Sequence, residues 1–357
     1  MWKGSTISRF PLRIIGTLPQ GGTAGNYLFL ARAYGATIRR LGGVPYGASG
    51  SPVYRGRTLL GAISTVFTPD NSLVGITPIA AMLALTQEPT QSTPPAGSSH
   101  PVTRLPITAQ GLSSYRALNA LEQHYGRVQD VVNIGIAPTE QQGRQLRAGE
   151  SIGTALMLGD IQMGYIGTAT LVQGSQVFAF GHPLLFAGPT NIPLTQAPIV
   201  TTTRGEFPQK IGSFGAVIGA IHQDRSAGVL AELGSVPLTV HMQFTVQDTD
   251  RQRTTTVTTQ AANIKSELPF LTFIGVLESM QRAMNRVGSG SATWQWRLTL
   301  TNTSEPIQAT ASEEDATDIG FLVAISGESL VSQALATGVN LKSIELTAVV
   351  SSQPISE

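Results

Sequence analysis

The sequence contains no cysteine. That excludes a disulfide framework, a thiolate nucleophile and a Cys-ligated zinc site. Charge is also scarce: Asp, Glu, Lys and Arg make up 13% of the 357 residues, about half the usual share of roughly 25%. Gly, Thr, Ser, Ala and Gln fill the difference. β-rich chains that solvate themselves with neutral polar groups have this composition, and charge-laced surface helices do not. The net charge is +1, so no whole-chain bias points to nucleic acid or to an acidic partner. Nucleic-acid binding further lacks a basic stripe and an aromatic platform. No apolar run reaches the roughly 18 residues of a membrane span, so no transmembrane segment is expected. The start, Met1 to Thr6, has no basic region followed by an apolar one, hence no visible signal peptide. A strand expected to begin by Phe10 makes that start abrupt, as in a truncated precursor. The five histidines, His100, His124, His182, His222 and His241, are scattered, with no two at i, i+4 or in an alternating pair. No GxxxxGK[ST] occurs, and glycine-rich pieces such as Gly212-Ser213-Phe214-Gly215 lack the strand-loop-helix context of a dinucleotide site. No metal and no cofactor are therefore expected.

The chain is long enough for two or three domains. Residues 1–85 read as β: Leu12–Leu18, Tyr27–Ala33 and Thr58–Phe67 are apolar, β-prone runs separated by turns, among them Tyr54-Arg55-Gly56-Arg57. Thr77 to Leu85 follows as a short helix, with Thr77 as its N-cap and Pro78 in its first position. Residues 86–100 are rich in Pro, Ser and Thr and form a linker. Residues 101–150 read as a helical or mixed connection: one helix from Ser113 to Tyr125 ends at Gly126, and a second begins at the capping box Thr139-Glu140-Gln141-Gln142. Residues 151–262 return to β, with a hairpin turning at Gly174-Ser175 and an alternating strand from Leu238 to Val246. Residues 263–357 are α+β. Phe270, Phe273, Ile274, Leu277, Met280 and Met284 recur at helical spacing, Trp294 to Thr301 alternates as a strand, Glu328 to Thr337 is helical, and a last strand runs through Ile344 to Val350.

Two stretches carry candidate chemistry. Gly47-Ala48-Ser49-Gly50-Ser51-Pro52 is a glycine-flanked serine turn that leaves the hydroxyl uncrowded. It follows Gly42-Gly43-Val44, read as a strand exit, and can aim the N–H groups of Gly47 or Ala48 and of Ser49 at one spot, an oxyanion hole. Phe178-Ala179-Phe180-Gly181-His182-Pro183 places a histidine on a tight turn straight after a strand. A serine on such a turn and a distant histidine are the minimum set for a serine hydrolase. Asp224, 42 residues after His182, is the foremost candidate for the orienting acid, with Asp160 and Asp70 behind it. A pair of carboxylates for glycoside chemistry is nominated by nothing in the pattern.

On these residues the chain resembles the SpoIVB-type S55 serine peptidases. That family carries its nucleophile in a G-M-S-G-S-P segment and its histidine in an A-L/F-G-H segment, matched by Gly47 to Pro52 and Ala179 to His182. The flanks are similar as well: Thr58-Leu59-Leu60-Gly61-Ala62-Ile63, Gly75-Ile76-Thr77-Pro78-Ile79 and Gly167-Thr168-Ala169-Thr170. The likeness covers residues 4–85 and 150–247. It implies a mainly β fold with a trypsin-like arrangement of two β-barrels, Ser49 as nucleophile, His182 as general base, a protein or peptide substrate and an extracytoplasmic location. The chain departs from the family in three ways. Ala48 stands where Met is usual. Serine precedes histidine, so the halves are permuted. Residues 20–48 contain no Asp or Glu where those peptidases carry their acid. Two readings stay open: an active serine endopeptidase cleaving a protein or itself, and an inactive pseudopeptidase acting as a peptide- or protein-binding β-scaffold of the cell envelope.

Overall fold

The computed structural model describes residues 6–88, 106–126, 128–130 and 145–354. Most of the expected linker at 86–100, with His100, and the capping box at Thr139 lie outside them. Residues 6–88 carry β1 (Leu12–Leu18), β2 (Leu28–Ala33), α1 (Ala36–Leu41), β3 (Pro52–Arg55), β4 (Thr58–Val66), β5 (Leu73–Pro78) and α2 (Ile79–Leu83). Then come β6 (Ile107–Gln110), α3 (Tyr115–Tyr125) and β7 (Val128–Asp130). A run of strands follows: β8 (Ser151–Gly159), β9 (Gln162–Gln173), β10 (Gln176–Ala179), β11 (Gly188–Gln196), β12 (Ile199–Thr202), β13 (Lys210–Gly212), β14 (Val217–Arg225) and β15 (Gly228–Leu233). The remainder is β16 (Thr239–Asp248), β17 (Arg253–Ala262), α4 (Leu268–Met284), β18 (Gly290–Leu300), β19 (Ile307–Asp315), α5 (Ile319–Ala336) and β20 (Leu341–Ser351). With 46% strand and 20% helix, the protein is mainly β. The chain divides into two compact units, one of residues 1–108, 131–155 and 164–237, the other of residues 109–130, 156–163 and 238–357. Both candidate stretches thus belong to one unit, and the strand from Leu238 belongs to the other rather than to a 151–262 domain.

In the first unit, β1-β2-β5-β4-β3 form an antiparallel sheet curved as half a barrel. Its inner face buries Ala31, Val44, Ala48, Ile63, Val74 and Ile76. Gly42-Gly43 ends a short helix rather than a strand: Gly42 is the left-handed cap of α1, and its N–H donates to Ile38 O. The pattern Ala36–Leu41 is too short to announce itself, but Ile38 and Leu41 are buried and hold the turn against the sheet. Strands β9, β10, β15, β14 and β11 pair antiparallel in that order, and β12 pairs with β13. Thr77 is not a helix cap: it is a buried residue of β5, and Pro78 takes the cap position of α2.

In the second unit, β19-β18-β20-β16-β17 form a sheet in which β16 and β20 are parallel and the other pairs antiparallel. Helix α4 was expected to bury one stripe. It is buried on almost every side instead, because α3 and α5 pack on it as well as strands β16 and β17. Close approach to the sheet requires glycine: a Cβ at Gly275 would lie 2.3 Å from the Phe244 ring, and one at Gly327 of α5 would lie 2.3 Å from the Trp296 indole. The α4 carboxylate of Glu278 is fully buried and accepts the N–H groups of Ser113 and Ser114 at 2.8 Å, fastening the start of α3. Helix α5 is the one described helix long and apolar enough to cross a membrane; it starts at Ile319, not Glu328, and buries Ile319, Val323, Ala324 and Val331 in this unit.

Candidate active site

Ser49 sits in the turn between α1 and β3, half-buried, above the buried Ala48. The turn is tight because Ala48 N–H donates to Pro45 O and Ser51 N–H to Ala48 O. Gly50 N–H donates to Ile63 O of β4 at 2.7 Å. Gly50 has φ +89°, and a Cβ there would come within 1.9 Å of Thr168 O, so this position takes only glycine. Two threonines of β9 then grip the turn from one face of their strand. Thr168 Oγ1 donates to Gly47 O at 3.0 Å, and Thr170 Oγ1 donates to Gly50 O at 2.7 Å. With both carbonyls on either side of Ser49 held, the N–H groups of Gly47 and Ser49 have no acceptor among the described residues, and neither does Ser49 Oγ. Two unengaged N–H groups beside a hydroxyl are the parts of an oxyanion hole.

His182 lies on the turn that leaves β10. Phe180 and Gly181 both have left-handed backbone, φ 65° and 73°. For phenylalanine that costs roughly 1–2 kcal/mol, offset by a ring fully buried against Gly167, where a Cβ would lie 2.3 Å away. Thr77 Oγ1 donates to Gly181 O at 2.6 Å, and Gly181 packs on Ala62 and Ser64 of β4. The fastening is reciprocal: the histidine turn is held by strands around the serine loop, and the serine loop by the strand before the histidine hairpin.

The imidazole is 7% exposed, and its Nδ1 lies 2.8 Å from Pro183 O. A carbonyl oxygen only accepts, so Nδ1 carries the hydrogen and Nε2 the lone pair. Nε2 is buried with no partner. Burial outweighs the Pro183 bond and lowers the histidine pKa to about 4, which keeps the ring neutral at ordinary pH. This is the tautomer a general base needs.

Asp224 does not occupy the place of an orienting acid. It is fully buried on β14, and its two carboxylate oxygens accept the N–H groups of Leu184 at 2.7 Å, Leu185 at 2.8 Å and Ala187 at 3.2 Å. Burial raises its pKa, against those amide bonds, which lower it. Its work is to pin the loop that follows His182, whose Phe186 is also left-handed at φ 57°. The weaker acid candidates have other partners: Asp70 pairs with Arg32 on the surface, and Asp160, in the second unit, accepts Thr258 N–H. His241 bonds Gln260, His124 stacks on Phe270, and His222 lies 3.9 Å from Glu232. Among the described residues no group of three or more His, Asp or Glu could hold a metal ion.

Lys210 was not foreseen. It is 2% exposed, and its Nζ donates to Ser151 Oγ at 3.1 Å and Thr168 Oγ1 at 3.0 Å. Burial lowers its pKa to about 7. A single lysine in a polar stretch gives no warning of this. The alternation Thr168-Ala169-Thr170 in an apolar strand is a local pattern from which a polar pair on one face could have been read. Two cavities stand out. One of about 200 Å³ in the first unit is bordered by Glu150, Ser151 and Gln196, and one of about 750 Å³ in the second by Tyr115, Phe270, Phe273 and Phe321. Neither is lined by Ser49 or His182. No family model matches this chain, and no curated protein and no solved structure matches it either.

Proposed function

We propose that this protein is a serine endopeptidase of the SpoIVB-type S55 kind, acting on a protein or on itself outside the cytoplasm. In this reading Ser49 Oγ attacks the scissile carbonyl and His182 Nε2 takes its proton. The N–H groups of Gly47 and Ser49 receive the oxyanion, and the proton on His182 then passes to the leaving amine. The resemblance further implies a permuted, trypsin-like pair of barrels, and the half-barrel sheet next to Ser49 is consistent with one of them. The observation that carries the reading is the state of His182: a neutral ring whose Nε2 lone pair is buried and unpartnered. An unpaired buried acceptor costs about 1–3 kcal/mol, and this one leaves the Nε2 lone pair free to take a proton. Pro183 O fixes the tautomer in place of a carboxylate but brings no negative charge to the imidazolium.

The second reading, a peptide-binding pseudopeptidase, is favoured by two observations: both Asp224 oxygens are engaged by loop amides, and Ser49 Oγ and His182 Nε2 make no hydrogen bond to each other. A fluorophosphonate probe separates the two. The peptidase labels at Ser49, and Ser49→Ala and His182→Ala each abolish labelling and any self-cleavage. Labelling that persists in Ser49→Ala overturns the assignment of the nucleophile. A folded wild-type chain that never labels, yet binds extended peptides, is the scaffold.

A further inference from the structure

We infer that Lys210 is a positioning residue of the serine loop, acting through Thr168 on the Gly47 carbonyl; its role in catalysis rests on the peptidase reading above. Three contacts make the connection. First, Lys210 is tied by its backbone to the residue that opens the loop: Lys210 N–H donates to Tyr46 O at 3.0 Å, and Tyr46 N–H donates to Pro208 O at 2.8 Å. Second, its aliphatic stem lies along Gly47. A Cβ at Gly47 would be 3.3 Å from both Cβ and Cδ of Lys210, and Gly47 has φ +84°. The backbone requires the glycine, and the close stem adds crowding that a Cβ would have to relieve. Third, the ammonium reaches Thr168 Oγ1 at 3.0 Å, and that hydroxyl reaches Gly47 O at 3.0 Å.

The direction of the relay follows from the donor inventory. A carbonyl only accepts, so the Thr168 hydroxyl turns its one hydrogen to Gly47 and accepts from the Lys210 amine. Below pH about 7, where the buried amine holds its proton, the charged donor strengthens the second bond through the first. The Gly47–Ala48 peptide is thereby fixed with its carbonyl turned to Thr168, beside the N–H groups of Gly47 and Ser49 that have no acceptor among the described residues. Ser151 Oγ takes a second ammonium hydrogen and centres the amine. A buried lysine is expensive, and a simple scaffold role would be served as well by methionine. Here its polar end is spent on a loop carbonyl one peptide from the candidate nucleophile.

The test is a double-mutant cycle with Lys210→Met and Thr168→Val, with Thr168→Ser as the variant that keeps the hydroxyl. Two readouts are used on the full chain: the rate of fluorophosphonate labelling at Ser49, and amide hydrogen exchange across residues 46–51. A relay predicts that each single change slows labelling about tenfold or more and speeds loop exchange by a similar factor. The double variant should be no worse than the poorer single one, and Thr168→Ser should restore both readouts to within about twofold of wild type. Additive effects, or a folded Thr168→Val with wild-type exchange, overturn the relay. If wild type does not label at all, the peptidase reading fails, and the exchange arm still decides the role of Lys210. Thr168→Val keeps the test open should Lys210→Met not fold.

Discussion

Acidification isolates what the structure says about His182. The ring is buried, its Nδ1 hydrogen is given to Pro183 O, and its pKa falls from 6.5 to about 4. The unfolded chain binds a proton near pH 6.5 and the folded chain only near pH 4. Stability contributed by the neutral ring is therefore complete above pH 6.5 and lost as pH falls from 6.5 to about 4; below that both states are protonated and the loss stops. The drop corresponds to about 3 kcal/mol, a large part of the 5–15 kcal/mol that holds a typical domain together. Tryptophan fluorescence is a poor probe of this loss, since the described tryptophans, Trp294 and Trp296, lie on β18 in the second unit. Hydrogen exchange over residues 164–233 reports on the correct unit, with His182→Gln as control. Wild type should lose about 3 kcal/mol more than the control between pH 6.5 and 4. NMR of ¹³C-labelled histidine should find one of the five rings titrating near pH 4, with its hydrogen on Nδ1 when neutral. Parallel stability curves, a midpoint near 6.5 for His182, or a hydrogen on Nε2 would each refute the reasoning.

Asp224→Asn should release the loop after His182. An amide can present only one acceptor oxygen where two carboxylate oxygens now take three N–H groups, so exchange at residues 184–187 should rise and about 1–3 kcal/mol should be lost. A folded Asp224→Asn with wild-type exchange would contradict the role assigned here. Gly50→Ala should cost more than ~2 kcal/mol, because a left-handed alanine is combined with a contact to Thr168 O that backbone cannot yield; a thermal melt within a degree of wild type would contradict the packing.

Much of the fold was legible because it follows local pattern. The β-rich composition, the hairpins at Gly56 and Gly174, the strand at Trp294 and the helix from Leu268 all come from alternation, helical spacing and turn residues. Helix α1 was hidden by its length, and β19, a polar alternating edge strand, by its lack of an apolar face. The burial of α4 on nearly all sides depends on what packs around it, which no helical periodicity records. At the candidate site the same division holds. The glycine-flanked Ser49 and the Gly181-His182-Pro183 turn are sequence features, because conformational freedom and strand ends are local. The identity of the acid is not: Asp224 sits near His182 in the fold but spends its charge on backbone amides. Thr77, Thr168, Thr170 and Lys210 acquire their roles from strands that meet only after folding. Sequence alone nominated Ser49 and His182 as the residues to which the proposed chemistry is assigned. Tertiary structure decided which groups hold them, because a hydrogen bond between residues more than a hundred positions apart has no local signature.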